Sequence, residues 1–198
     1  MQLLRRRRAA AAAVLVAVVA LVAALGPRSP VSSSSSSPWP GAEQGDARGE
    51  AGGAIPDGTT VFDDDVPGVA NLDPTLLRAL RRAATDAAAG GVALVVNSGW
   101  RSPGYEDRLR HEAIAKYGSE AQAARWVATG TTSAHVSGDA VDLGPAAATP
   151  WLSEHGAAYG LCQIYGNEPW HYELRPEPVA RGCPPMYPDP TYDPRMHR

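Results

Sequence analysis

The sequence predicts an α+β domain with a small, mainly antiparallel sheet flanked by helices, and three observations carry that prediction. Leu76, Leu77, Leu80, Ala83, Ala84 and Ala87 recur at helical spacing and give one helix an inward face. Residues 92–96, 140–143, 161–164 and 170–174 are short apolar or β-branched runs of strand length. Helices and strands do not alternate regularly, so the sheet is expected to be antiparallel rather than wound parallel.

The chain has 198 residues, enough for one domain of ordinary size. Its first segment joins four arginines at 5–8 to an unbroken apolar run at 9–25. A charged front before an apolar stretch reads as an export signal or N-terminal membrane anchor over 1–28. As a helix the run would span roughly 25 Å, short for an anchor and long for a cleaved signal. Residues 29–54 are rich in Ser, Pro and Gly, with six consecutive serines at 32–37. They carry too few large apolar side chains to fold, so they read as a flexible linker. The domain is expected over 55–198, outside the cytoplasm and in the cell envelope. Net charge is −3, and the four arginines at 5–8 leave −7 for the rest, which offers nucleic acid no basic surface.

Within the domain, Asp73 and Pro74 form a helix N-cap and first turn, and Gly90 and Gly91 stop the helix. The run 92–96 reads as a buried strand that delivers Trp100 and Arg101 to a loop. Residues 105–117 keep helical spacing up to Gly118, and 119–127 reads as a second short helix. Ala140 to Leu143 is the next strand. Thr149 and Pro150 cap a helix running to about Tyr159, and 161–164 pairs as a hairpin with 170–174. Cys162 and Cys183 are the only cysteines, an even pair in an exported chain, which points to one disulfide. A ligand or nucleophile role is the alternative, but no histidine lies beside either cysteine. Five prolines between 184 and 194 make the last stretch an irregular wrap.

The chemistry concentrates in residues 132–144, where His135 and Asp142 flank Gly138 and Ala140. Glycine permits a sharp turn there, and alanine leaves room beside it, so the imidazole and the carboxylate can converge on one ion. Downstream, the segment Glu168, Pro169, Trp170, His171 adds a second imidazole and another carboxylate. On an unbroken strand residues three apart face opposite sides, so Glu168 and His171 share a site only if the backbone turns between them. Two histidines and one carboxylate, with a position left for water, form a catalytic zinc set. His135, Asp142 and His171 are the expected ligands. Glu168 is the expected general base toward a zinc-bound water, and Arg101 the expected partner of an oxyanion or substrate carboxylate. A surface salt bridge is the alternative for Arg101. His111, His155 and His197 read as structural or solvated.

These blocks resemble the zinc D-alanyl-D-alanine carboxypeptidases and dipeptidases of the vancomycin-resistance type, which share a fold with the Hedgehog signalling domain. Ser98, Gly99, Trp100, Arg101 and Ser102 form the first block. Ser133, His135, Gly138, Ala140 and Asp142 form the second, and Glu168, Pro169, Trp170, His171 and Tyr172 the third. The resemblance implies a Hedgehog/DD-peptidase-like zinc domain in which His135, Asp142 and His171 hold Zn2+ and Glu168 is the base. It also implies that Arg101 and Ser133 contact substrate. The expected reaction is removal of the terminal D-alanine from a peptidoglycan stem peptide ending in D-Ala-D-Ala, by a monomer. The chain departs from the pattern at Trp100, where tyrosine is usual, and at Pro103, Gly104 and Tyr105. The short segment between Tyr159 and Glu168 predicts an open pocket wall. A peptidoglycan endopeptidase or dipeptidase of the same superfamily, and a non-catalytic zinc-binding module, are the alternatives.

Overall fold

The computed structural model describes residues 49–175 and 182–197. The proposed export segment and most of the proposed linker lie outside the described residues. Among the described residues no helix is long and apolar enough to cross a membrane.

Five α-helices and a four-stranded sheet form the described chain. In order they are α1 (Pro67–Ala70), α2 (Pro74–Ala89), β1 (Val95–Ser98), α3 (Pro103–Tyr117), α4 (Glu120–Ala123), β2 (Ala140–Gly144), α5 (Thr149–His155), β3 (Leu161–Gln163) and β4 (His171–Leu174). The sheet runs β1-β2-β4-β3, and every neighbouring pair is antiparallel. The expected α+β class and antiparallel sheet are therefore present. Short connections dictate the antiparallel order at β3 and β4, because a parallel pair needs a crossover of a dozen or more residues.

Helix α2 forms as its sequence dictates. The Asp73 carboxylate accepts from the Thr75 and Leu76 N–H groups, satisfying two donors that the first turn leaves open. Its buried face, Leu76, Ala79, Leu80, Ala83, Ala84 and Ala87, packs into one core with Val96, Val141, Leu143, Leu161 and Tyr172 of the sheet. Strand alternation then does the positioning. Val141, Leu143 and Tyr172 enter the core, so Asp142, His171 and Glu173 project from the opposite face. The register places Asp142 directly across from His171.

Several element boundaries differ from the sequence reading. The first strand is Val95–Ser98 rather than 92–96. Its partner β2 ends at Gly144, which pairs with Val95, and the next residue, Pro145, has no N–H to continue the ladder. Residues 92–94 instead leave α2, with the Val92 N–H on the Ala87 carbonyl. The helix expected over 119–127 is only Glu120–Ala123, beyond which Trp126 stacks on Tyr117 and Arg110 takes the Val127 carbonyl. Thr149 is the first residue of α5 and caps nothing; the helix tightens to a 3-10 turn at Gly156–Tyr159. Residues 50–54, expected in the linker, are packed on the domain: a 3-10 turn at Glu50–Gly52 accepts the Ser102 N–H on the Gly52 carbonyl, and Gly52 and Gly53 are buried.

The Cys162–Cys183 disulfide is formed, with 5.5 Å between the Cα atoms. It anchors segment 182–197, which runs beside 164–167: Tyr187 N–H donates to Ile164, Gly166 N–H to Tyr187 and Asn167 N–H to Pro188. The wall expected to be open between Tyr159 and Glu168 is thus lined by this segment. Backbone pairing, invisible in the local sequence, builds it.

Candidate active site

His135 stands on a turn fixed by its neighbours. Gly138 has φ +79°, and a Cβ there would lie 2.6 Å from the Asn71 carbonyl oxygen, so both conformation and space demand glycine. Asp73 N–H binds the Gly138 carbonyl at 2.9 Å, tying the turn to the start of α2. Glu168 reaches the same site because the chain does turn: His171 N–H closes on the Glu168 carbonyl at 3.1 Å with Pro169 between them. That is the bend the spacing required.

The donor atoms converge. His135 Nε2 lies 3.3 Å from His171 Nδ1 and 3.4 Å from Asp142 Oδ1, and His171 Nδ1 lies 3.2 Å from the same oxygen. Tetrahedral ligands at zinc distances of about 2.0 to 2.1 Å sit about 3.3 to 3.4 Å apart, so this triangle fits one face of such a site. The outward nitrogens are engaged. His135 Nδ1–H donates to the Gly99 carbonyl at 2.8 Å, leaving the Nε2 lone pair inward, and His171 Nε2–H donates to Glu173 at 3.2 Å. Orienting a histidine ligand through its remote N–H is how metal sites fix tautomer and ring direction. His135, Asp142 and His171 are the group among the described residues able to hold an ion.

Electrostatics agree with that use. Burial penalises charge on Asp142, but the two histidines and Arg101 outweigh it and hold the carboxyl well below its ordinary value. Burial and the nearby Arg101 cation lower His135. For His171 burial opposes protonation, yet hydrogen bonds to Asp142 and Glu173 prevail and raise it to about 9. A positive charge is favoured between these groups, and a divalent cation satisfies the same field.

Glu168 is buried, with Oε2 3.8 Å from His171 Nδ1, while its Oε1 has no hydrogen-bond partner among the described residues. Burial, reinforced by the Asp142 charge and opposed by His171 and Arg101, raises it to about 7. Arg101 is no surface salt bridge. It is partly buried, with Nε on Ser98 Oγ at 2.8 Å, Nη1 on Glu106 at 2.9 Å and Nη2 on Asp142 Oδ2 at 3.1 Å. It thus holds the carboxylate that completes the donor triangle. Ser133 Oγ accepts the His135 N–H at 3.2 Å and lines the same cavity. That cavity encloses about 370 Å³. Arg101, Ser133, Glu168 and Trp170 line it beside the donors, and Pro190 and Met196 line it from segment 182–197.

Glu106, Glu173 and Arg195 are the residues that reading the sequence missed. Glu173 had a signal: two residues from His171 on a strand, it must share its face. Glu106 and Arg195 had none, since their partners are set by tertiary packing. His111 is exposed, His155 packs edge-on against Trp151 and His197 binds the Thr191 carbonyl, so none joins the site.

The family model described as "VanY: D-alanyl-D-alanine carboxypeptidase" matches residues 69–177. A D-alanyl-D-alanine carboxypeptidase of Enterococcus faecalis (strain ATCC 700802 / V583) is 31% identical over 111 residues, covering 43% of this chain and 41% of that protein. The chain thus spans less than half the length of that relative. Among solved structures, the LdcB LD-carboxypeptidase superposes with TM-score 0.50 at 22% identity, covering 65% of this chain and 70% of that one, which is a likeness of fold. The vancomycin resistance D,D-pentapeptidase VanY of the VanB-type cassette, solved with Zn(II), gives TM-score 0.49 at 28% identity over 52% of this chain and 72% of that one. With the matched segment spanning all three sequence blocks and more than half of the chain, the protein belongs to the VanY family of D-alanyl-D-alanine carboxypeptidases.

Proposed function

We propose that this protein is a zinc-dependent D-alanyl-D-alanine carboxypeptidase that removes the terminal D-alanine from peptidoglycan stem peptides outside the cytoplasm. The observation that carries the reading is the buried Glu168 carboxylate, with one oxygen unpartnered, beside three donors spaced for one metal ion. Family membership supports the reaction class. The VanYB structure with D-alanine-D-alanine, 27% identical, supports the substrate chemistry.

His135 Nε2, Asp142 Oδ1 and His171 Nδ1 would hold Zn2+. Bound there, the ion supplies Lewis-acid polarisation of the scissile carbonyl and acidifies water. Glu168 Oε1 accepts a proton from the attacking water and delivers it to the amine of the departing D-alanine, so the proton balance closes within the site. Burial makes it a stronger proton acceptor than an ordinary carboxylate, which suits both transfers. Arg101 has five N–H donors, of which Ser98, Glu106 and Asp142 each take one, leaving two for the substrate carbonyl or carboxylate. The Ser133 hydroxyl, which lines the same cavity, would donate to the same peptide terminus. The export segment at 1–28, cleaved or retained as an anchor, and the linker expected at 29–54, of which 50–54 pack on the domain, would set the domain at the cell wall, where it would act as a monomer.

The test is mass spectrometry of pentapeptide muropeptides incubated with the purified full chain. Zinc-loaded wild type should release a single alanine. Glu168→Gln should retain one zinc and its fold while turnover falls about 10² to 10⁴-fold, as expected for a lost general base. Asp142→Ala should lose zinc and activity together. Cleavage inside the stem would make the protein an endopeptidase. Full activity in Glu168→Gln would remove the assigned base.

A further inference from the structure

The assigned chemistry uses one face of His171 and leaves a charged cluster behind it. Glu173 is 1% exposed and accepts from His171 Nε2 through Oε1. The same carboxylate receives both arms of the Arg195 guanidinium, Nη1 on Oε2 at 2.6 Å and Nη2 on Oε1 at 3.1 Å, and Arg175 adds an ion pair to Oε2 at 2.9 Å. Arg195 is itself gripped by Asp193, whose second oxygen also accepts the Tyr165 hydroxyl at 3.0 Å. Asp193 is fully buried. The cluster therefore runs Tyr165, Asp193, Arg195, Glu173, His171.

Its two-armed cation, Arg195, comes from segment 182–197, which lies beyond the family-matched residues 69–177, whereas Arg175, with its single contact, lies within them. That segment is bound to the domain at several independent points. The Cys162–Cys183 disulfide and the pairing of Tyr187 with 164–166 fix its start, and Arg125 Nε on Asp189 Oδ2 at 2.9 Å fixes its middle. A flexible segment could not deliver a two-armed contact to a buried carboxylate, because that contact needs a planar fork held in one orientation.

We propose that Arg195 is a positioning residue for the metal centre. Its fork aims Glu173 Oε1 at His171 Nε2, and thereby sets the direction of His171 Nδ1 toward the ion. Segment 182–197 is then a strap that completes the site from behind while Met196 and Pro190 line the cavity in front. This inference rests on the proposed zinc function. Partners that orient a histidine ligand typically change metal affinity about 10 to 100-fold when removed.

The experiment uses the full chain and two readouts, zinc affinity by chelator competition and the visible spectrum of the cobalt-substituted protein. Arg195→Ala should weaken zinc binding about 10 to 100-fold and shift the cobalt bands. Arg195→Lys keeps the charge but loses the fork and should recover only part of the affinity. Glu173→Gln should move both readouts in the same direction as Arg195→Ala. Leu80→Ala, which opens the core on the other side of the sheet, should lower the melting temperature yet leave both readouts at wild-type values below the melt. Zinc affinity within about twofold of wild type in Arg195→Ala, with an unchanged cobalt spectrum, overturns the proposal. Should Arg195→Ala not fold, the lysine variant decides, since wild-type affinity there refutes the need for a fork. Wild-type protein that binds no zinc would instead sink the proposed function, so the two failures are distinguishable.

Discussion

Replacing Arg101 with alanine should destabilise the metal-free domain far more than loss of an ordinary surface arginine. Its side chain is 12% exposed, and Glu106, which it neutralises at 2.9 Å, is 1% exposed. Truncation removes three hydrogen bonds at once and leaves the Glu106 carboxylate buried without its cation. Breaking one side of a buried pair costs about 3 to 5 kcal/mol, against about 5 to 15 kcal/mol for the whole stability of a typical domain. For a domain of this size each kcal/mol lowers the melting temperature by about 2 to 4 °C, so a fall of roughly 6 to 20 °C is expected. Adding Glu106→Gln separates charge from packing. A neutral buried amide lacking partners costs about 1 to 3 kcal/mol, so the double variant should be about 2 kcal/mol more stable than Arg101→Ala. Urea denaturation of the metal-free proteins, followed by circular dichroism, gives both numbers. A loss below about 1 kcal/mol in Arg101→Ala, the range of exposed pairs, or no recovery in the double variant, would refute the buried-pair account.

The rate should fall as pH drops through the pKa of Glu168, because a base must be ionised to accept a proton. Burial raises that carboxyl to about 7 in the metal-free protein and a bound cation draws it lower, so the acid limb of kcat/KM belongs below neutrality and should vanish from the residual activity of Glu168→Gln. An unchanged limb in that variant would assign it to another group. The disulfide closes a loop of about 22 residues, worth about 3 kcal/mol in the chain-entropy model. Cys162→Ser with Cys183→Ser should therefore melt roughly 6 to 12 °C lower, and titration of unreduced, denatured wild type should find no thiols. Two reactive thiols would contradict the bridge.

Sequence alone determined the parts of this protein that depend on local chemistry. The Asp73 cap, the apolar face of α2 and the Gly118 stop are short-range preferences, and α2 and α3 formed where those signals stand. The site blocks were legible for a related reason: His135 and Asp142 around Gly138, and Glu168 and His171 around Pro169, are spacings that only a turn can reconcile. Tertiary structure decided the rest. Where β1 starts depends on how far β2 offers a partner, which Pro145 sets from fifty residues away in sequence (about that distance). Arg101 looked like a substrate contact or a surface pair because its spacing from Asp142 carries no information; only the β1 and β2 register brings the two within 3.1 Å. Arg195 and Glu173 were hidden for the same reason. A long-range ion pair needs no periodicity in the chain, only a disulfide and a strand edge that bring one segment behind another.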